Sequence, residues 1–305
     1  MSSTVIPPLR RRRFSRRTRD ALLGYALVLP PLILFGTFVF YPFVKTCWLG
    51  LYRTPPFPNL PRRWVGLDQY REVLTSDLFT NSFKVTIEFA LLTVPIGLAL
   101  GLGLAVLAHQ KLRGIGIFRT IFSSTVVTSV AVASLISLTL LNPQIGLLNY
   151  WLGREGAASP LDDPTWALVA VAGVTIWQSL GLSFIIMSAG LQAVPDELIE
   201  AATVDGAGAW SRFWHVTLPM LSPTLFFSAI VGTILAFHSF GQIDLLTEGG
   251  PQDKTNVLTY AIYRSVFKEN NDGKAAVLAV ALFAITLVLT VVQLRFLERR
   301  VSYER

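Results

Sequence analysis

Charge is what this sequence is short of. Of its 305 residues only 15% are charged while 52% are hydrophobic, and the mean hydropathy is +0.53. A soluble domain normally carries about 25% charged residues, so too few remain here to coat a soluble globule. An ordinary cytosolic enzyme is excluded, and the hydrophobicity excludes a disordered chain. Cysteine is nearly absent: Cys47 alone excludes an internal disulfide and any multi-cysteine metal site. The histidines, His109, His215 and His238, are scattered without metal-ligand spacing, so no metal is expected. A phosphate loop of the form G-x-x-x-x-G-K-[ST] is missing too. The only Gly-Lys pair, Gly273-Lys274, runs on into alanines. The chain is therefore not expected to hydrolyse ATP or to bind a cofactor itself.

What the sequence does contain is long apolar runs. A helix needs roughly 20 apolar residues to cross the hydrocarbon core, and six stretches qualify: Leu22–Leu49, Phe83–Ala108, Thr120–Leu141, Trp166–Leu191, Met220–Ile243 and Ala275–Phe296. The expectation is an all-α, integral-membrane six-helix bundle. Pro30, Pro31, Pro42 and Pro95 fall inside the first two spans, where neighbours can satisfy the freed carbonyls. The basic N-terminus precedes an apolar stretch too long for a cleavable signal core, so that stretch reads as a retained span.

The net charge of +7 then becomes a statement about orientation. Arg10, Arg11, Arg12, Arg13, Arg16, Arg17 and Arg19 precede the first span. Lys111, Arg113 and Arg119 separate spans two and three, and Arg299, Arg300 and Arg305 follow the sixth. With six spans these segments share one side, which places both termini in the cytoplasm. The loop at Arg53–Ser82 also carries cations and opposes this weakly. The run RRRRFSRRTR reads as a topogenic anchor on anionic lipid, not as a nucleic-acid arm. The chain divides into a basic segment (1–21), a transmembrane domain (22–298) and a short cytoplasmic tail (299–305).

The loop between spans four and five, Ala193–Pro219, carries the densest pattern. Pro195 suits a first helical position, and Asp196 and Glu197 favour the positive end of a helix dipole. Gly206 and Gly208 break this helix. A second helix follows, with Trp210, Phe213 and Trp214 on one face. Ala201 and Ala202 let another surface approach closely, and Glu200 offers it a carboxylate. Taken alone, this describes either an interfacial cap on the bundle or a docking surface.

The pattern resembles the EAA motif of permease subunits in ATP-binding-cassette (ABC) importers. Glu200-Ala201-Ala202 is followed after three residues by Gly206, and after nine more by Val216-Thr217-Leu218-Pro219, where the family has Ile at the first of these. The segments IWQSLGLSFIIMSAGLQAVP, LTEGGPQDKTNVLTYAIYRSVF, LNPQIGLLN, VGLDQY and Tyr41-Pro42 resemble the carbohydrate-uptake branch. The tail VVQLRFLERRVSYER is similar to the first permease subunit of glycerol-3-phosphate, glycerophosphodiester or sugar importers. The resemblance implies a bacterial inner-membrane importer subunit. Its partners would be a second homologous permease, two copies of an ATPase that bind ATP and Mg, and an external solute-binding protein. It further implies that Glu200, Ala201, Ala202, Asp205, Gly206, Leu218 and Pro219 couple the membrane helices to the ATPase.

Polar groups inside the spans are candidates for the solute path. Gln178 suits either a solute hydroxyl or an interhelical hydrogen bond, and Trp177 could stack on a sugar face. His238, Gln242 and Asp244 fall toward the outer end of span five, where His238 more simply satisfies a helix-end carbonyl. Glu88 has Lys84 one turn away, and the helical pair is the plainer reading. Ser123, Ser124, Thr125, Thr128 and Ser129 suit either an exit path or helix–helix contacts, the contacts being preferred. Gly97-x-x-x-Gly101 reads as a close helix contact. Gly249, Gly250 and Pro251 have the composition of a tight turn and, by the resemblance, would face the solute-binding protein. The alternative, a self-contained secondary transporter, needs paired carboxylates or an ion site within the spans. The acids there are few.

Overall fold

A computed structural model describes residues 16–55, 60–110, 113–142, 150 and 159–297. The described residues fall into two compact units, one ending at Leu49 and one starting at Gly50. The basic residues Arg10–Arg13, Lys111, Arg299, Arg300 and Arg305, and most of LNPQIGLLN, lie outside the described residues.

In the first unit, α1 (Arg16–Phe35) continues through a π-turn at Gly36–Phe40 into α2 (Tyr41–Leu49). The widened turn follows Pro30 and Pro31 inside α1. Such local adjustments re-pair carbonyls that proline leaves without an amide.

The second unit opens with a two-stranded antiparallel hairpin, β1 (Tyr52–Arg53) and β2 (Arg63–Trp64), in the register Tyr52↔Trp64. The short α3 (Asp68–Leu74) leads into α4 (Asp77–His109), whose N-cap Ser76 accepts a hydrogen bond from the Phe79 amide at 3.3 Å. Among the described residues, Leu23–Leu49, Asp77–His109, Ala167–Gln192 and Asp272–Arg295 are long and apolar enough to cross a membrane unbroken. They correspond to expected spans one, two, four and six. The last two lie on α7 (Ala167–Gln192) and α14 (Asp272–Leu297).

Spans three and five are not straight helices. The third consists of α5 (Ile115–Ser124), a 3-10 turn at Thr125–Val127 and α6 (Val130–Leu141), bent by 102°. Thr128 and Ser129 are extended at the break, and the Ser129 side chain accepts from the Val132 amide at 3.3 Å. That is an ordinary serine N-cap: this hydroxyl run builds a helix start. Ser123, Ser124 and Thr125 bond carbonyls of their own helix at 2.7, 2.7 and 3.1 Å, which spends their hydroxyls locally.

The fifth span is preceded by a helical segment bent away from it. The short helices α8 (Asp196–Val204), α9 (Ala209–Arg212) and α10 (Leu218–Met220) precede α11 (Ser222–Phe237), and the segment Ala209–Met220 meets α11 at 64°. The cause is Pro219 and Pro223, which cannot donate to carbonyls one turn back. A π-turn at Phe213–Thr217 widens the helix just before Pro219, and Leu221 is the corner. The span also ends early, at Phe237. Gln242 and Asp244 belong to a separate helix, α12 (Gly241–Leu246), followed by α13 (Leu258–Tyr263).

Two buried apolar clusters hold α4 and α7 together. One gathers Phe89, Val171, Phe237, Ile243, Leu258 and Tyr260; the other gathers Ala105, Ala108, Phe184, Met187, Leu191 and Leu221. Small residues permit the approach. A Cβ on Gly101 would lie 2.6 Å from the Ser183 Cβ, and one on Gly181 would lie 2.6 Å from the Val126 amide. Gly97, by contrast, has no neighbour within 4 Å of its Cβ position, so only Gly101 of the predicted pair is a close contact.

Candidate functional site

Between those clusters α4, α7 and α11 part around a cavity of about 490 Å³. Its position follows from the residue order. On α4 it takes Thr93 and Gly97, which lie between Ala90 and Ala105; on α7 it takes Thr175 to Ile186, and on α11 Ser228 to Ala236. Of the sequence candidates, Gln178, His238 and Gln242 line it, whereas Trp177 and Asp244 do not. Trp177 adjoins Gln178, but one helical step turns it about 100° away, and it is 40% exposed.

The lining is mainly apolar, with hydroxyls, two glutamines and a histidine set into it. No Asp, Glu, Lys or Arg borders the cavity among the described residues. The Gln178 Nε2 donates to the Thr128 carbonyl at 3.2 Å, so the side chain re-pairs a carbonyl freed by the break in span three. His238 Nδ1 lies 2.9 Å from the Ile234 carbonyl, the helix-end role that its position suggested, and Nε2 remains for another partner. Ser239 donates to Gln242 Oε1 at 3.4 Å and accepts on its carbonyl from the Thr259 hydroxyl.

Several lining hydroxyls escaped the sequence reading: Thr93, Thr175, Ser179, Ser183 and Ser228. Thr175, Ser179 and Ser183 recur every fourth residue, a helical stripe that could have been read directly. Ser228 had no such signal. The residue is buried, with 5% exposure, and its Oγ has no hydrogen-bond partner among the described residues.

At one end of the same helices, residues 193–219 fold into a helix–turn–helix. Pro195 occupies the N-cap rather than the first helical position, and Asp196 and Glu197 form the first turn of α8. The helix closes through Gly206, which has φ of +80°. The Gly206 amide reaches the Thr203 carbonyl at 3.1 Å and the Ala207 amide reaches the Ala202 carbonyl at 2.9 Å. This bond pair is a Schellman closure, and it needs a left-handed residue at Gly206. Arg212 Nη1 then donates to the Ala207 carbonyl at 2.8 Å and ties the turn to α9. Gly208 is merely extended, with φ of −67°.

The two sides of α8 differ. Ile199 faces a hollow of about 200 Å³ shared with Val106, His109, Arg212, Phe213 and Thr217. Glu200, Ala201 and Val204 are exposed, and Glu200 makes no ion pair with a described residue. Trp210, Phe213 and Trp214 form one aromatic cluster with centroids 5.5–6.3 Å apart. Leu218 and Pro219 lead into the corner at Leu221.

At the far end, Glu248–Pro251 makes a tight turn, the Gly250 amide reaching the Thr247 carbonyl at 2.9 Å. Gly249 is buried against the Tyr260 ring, while Gly250 and Pro251 are half-buried. Lys268 braces this turn, donating to the Tyr260 hydroxyl at 3.0 Å and to Glu248 at 2.9 Å. Those bonds, the tyrosine first, hold its ammonium above the usual lysine range. Arg264 bonds Asp253 at 2.8 Å. Glu88 lies 3.8 Å from Lys84, the helical pair expected.

Comparisons with known proteins follow this architecture. Residues 94–303 match the family described as "Binding-protein-dependent transport system inner membrane component". The sn-glycerol-3-phosphate transport system permease protein UgpA of Agrobacterium fabrum is 38% identical over 286 residues, covering 93% of this chain and 97% of that protein. The protein of the same name from Rhizobium meliloti is 37% identical with the same coverage. Among solved structures, a bacterial alginate ABC transporter in complex with an alginate pentasaccharide-bound periplasmic protein superposes with a TM-score of 0.80. It is 23% identical and covers 94% of this chain and 97% of its own, a likeness of fold.

Proposed function

The chain belongs to the binding-protein-dependent transport system inner membrane components, and from that premise we propose how it works. It forms half of a translocation path for a sugar or glycerol-phosphate-type solute. A second homologous permease supplies the other half, two ATPase copies bind ATP and Mg, and an external solute-binding protein delivers the solute. The chain itself is non-catalytic and holds no cofactor. Both termini and the 193–219 loop face the cytoplasm, and the turn at Gly249, Gly250 and Pro251 faces outward. Because Gly249 is buried, the exposed Glu248 and Gln252 flanking the turn supply its contact surface.

The observation that carries this reading is the exposed face of α8. Glu200 pairs with no described residue, Ala201 is small, and Gly206 and Arg212 lock the turn behind them. Such a knob is rigid on its own side and open on the other, which suits docking into a groove. ATP binding closes the ATPase pair and carries α8 with it, and α9, α10 and α11 pass the movement to the cavity wall. Asp205 flanks the knob, and Leu218 and Pro219 form the joint.

The cavity suits the polyol part of such a solute. Its hydroxyls and the glutamine amides match solute hydroxyls. Trp177 and Asp244 stand outside it and leave this role to Gln178, His238, Gln242 and Ser228. The relatives named above are sn-glycerol-3-phosphate permeases. A phosphate on the solute would find no Lys or Arg among the described residues lining this cavity, so the partner half supplies the cation.

A cross-link tests the assignment. In a Cys47→Ser background, Ala201→Cys should form a disulfide-length cross-link to a cysteine placed in the ATPase groove, with a yield that changes when nucleotide closes the ATPase. Absence of the cross-link from a complex that transports normally would overturn the docking role.

A further inference from the structure

A second hollow, of about 250 Å³, lies where α4 ends, α5 begins and α7 ends. Arg119, His109, Ser188 and Gln192 line it, together with Phe184 and Ile185, and no carboxylate borders it among the described residues. The Arg119 guanidinium is held in place: Nε and Nη2 donate to the Ala108 carbonyl at 3.1 and 2.8 Å. A guanidinium has five N–H groups, so three remain for another acceptor. The His109 ring and the Ser188 hydroxyl form no hydrogen bond to a described residue, and the Gln192 amide spends one N–H on the Ser188 carbonyl at 3.2 Å.

These are donors without an acceptor, around a fixed positive charge. Phosphate oxygens match that set, because a guanidinium pairs with them through short charge-assisted bonds. The other wall is apolar. Ala105, Ala108, Phe184 and Ala189 line it together with Ile185, which is 41% exposed. An inorganic anion has no use for that wall, whereas an acyl chain does.

We propose that this hollow holds the phosphate headgroup of an anionic phospholipid of the inner leaflet, with Arg119 as its charge partner and His109 and Ser188 as donors. The leaflet rests on the reading that residues 193–219 face the cytoplasm. His109 also lines the hollow beneath α8. The bound headgroup thus braces the wall against which the docking helix packs.

The test is lipid retention by the purified full-length chain, read by native mass spectrometry after exchange into phosphatidylglycerol, phosphatidylcholine or their mixture. The wild type should retain phosphatidylglycerol in preference to phosphatidylcholine. Arg119→Gln should lower that retention about tenfold, the loss expected for one charge-assisted hydrogen bond. Since Arg119 also clamps Ala108, Ser188→Leu gives a second variant that fills the hollow and leaves the clamp alone; it should lower retention as well. Millimolar inorganic phosphate should not displace the lipid. Wild-type retention in both variants, or equal retention of the two lipids, overturns the proposal. So does saturation by inorganic phosphate with no lipid preference, which would assign the hollow to a free anion. Retention is read on the chain alone, so its failure is distinct from failure of the ATPase cross-link.

Discussion

Replacing Gly206 by alanine should loosen the end of α8 without crowding anything. No heavy atom lies within 4 Å of a Cβ built there, so the effect comes from the backbone. At φ of +80° an L-residue sits in the left-handed region, at a penalty of about 1–2 kcal/mol. If that penalty falls wholly on the closure, the population holding the two amide bonds of Gly206 and Ala207 drops about five- to thirtyfold relative to the frayed form. Asparagine tolerates this region and should lose little. Aspartate tolerates it too, but its charge opposes the negative end of the α8 dipole by about 0.3–1 kcal/mol, so it should fall between. Two assays read the series. Hydrogen exchange at the Gly206 and Ala207 amides should quicken in alanine and stay near wild type in asparagine. In proteoliposomes holding the complete transporter, the ratio of solute taken up to ATP hydrolysed should fall in the same order while the chain remains folded. Identical behaviour of the alanine and asparagine variants would refute the backbone argument. Unimpaired uptake in alanine despite faster exchange would refute the coupling role.

Three further outcomes follow from the site. Gln178→Leu leaves the Thr128 carbonyl unpaired within the span, and thermal unfolding in detergent should show a loss of about 1–3 kcal/mol; an unchanged melting temperature would remove Gln178 from the break. Ser228→Ala should leave stability unchanged or slightly improved, because the Oγ already lacks a partner, yet raise the KM for uptake. Lys268 has its pKa raised in the folded chain, so its contribution is complete below the usual lysine value and is lost only as pH rises through the folded value. The melting-temperature gap between wild type and Lys268→Met should therefore stay constant from neutral pH up to about 10 and narrow only above the lysine range.

Hydropathy located every long helix because it measures what a bilayer selects, the length and apolarity of a run. It could not distinguish a straight span from a bent one. At Thr128–Ser129 the hydroxyls are too few to interrupt the apolar sum, while a serine side chain starts a new helix. The corner at Leu221 was written in Pro219 and Pro223, but the apolar sum hides prolines that fall at the start of a run. Gln178 stands out in the sequence as a polar residue in a span. That its partner is a backbone carbonyl on a broken helix depends on a contact fifty positions away, beyond any local pattern. The 193–219 loop is the most legible part, since its glycine, acids and aromatics each act within one or two helical turns. Ser228 was the least legible: its neighbours decide whether a lone serine in an apolar helix is spent or spare.

The corner at Leu221 makes the chain a bell crank. Ser228 stands seven residues beyond it on α11, roughly 10 Å away at about 1.5 Å per residue. The arm on the other side, Ala209–Met220, carries the aromatic cluster and is pinned by Arg212 to the turn that follows α8. If the 64° corner holds its angle, a swing of about 10° in the Ala209–Met220 arm displaces Ser228 by about 2 Å, on the scale of a hydrogen bond made or broken. If the corner flexes instead, the stroke is lost at the joint. On the proposed coupling role, the stiffness of one proline-flanked turn would then set how much of a movement at residues 193–219 reaches the cavity.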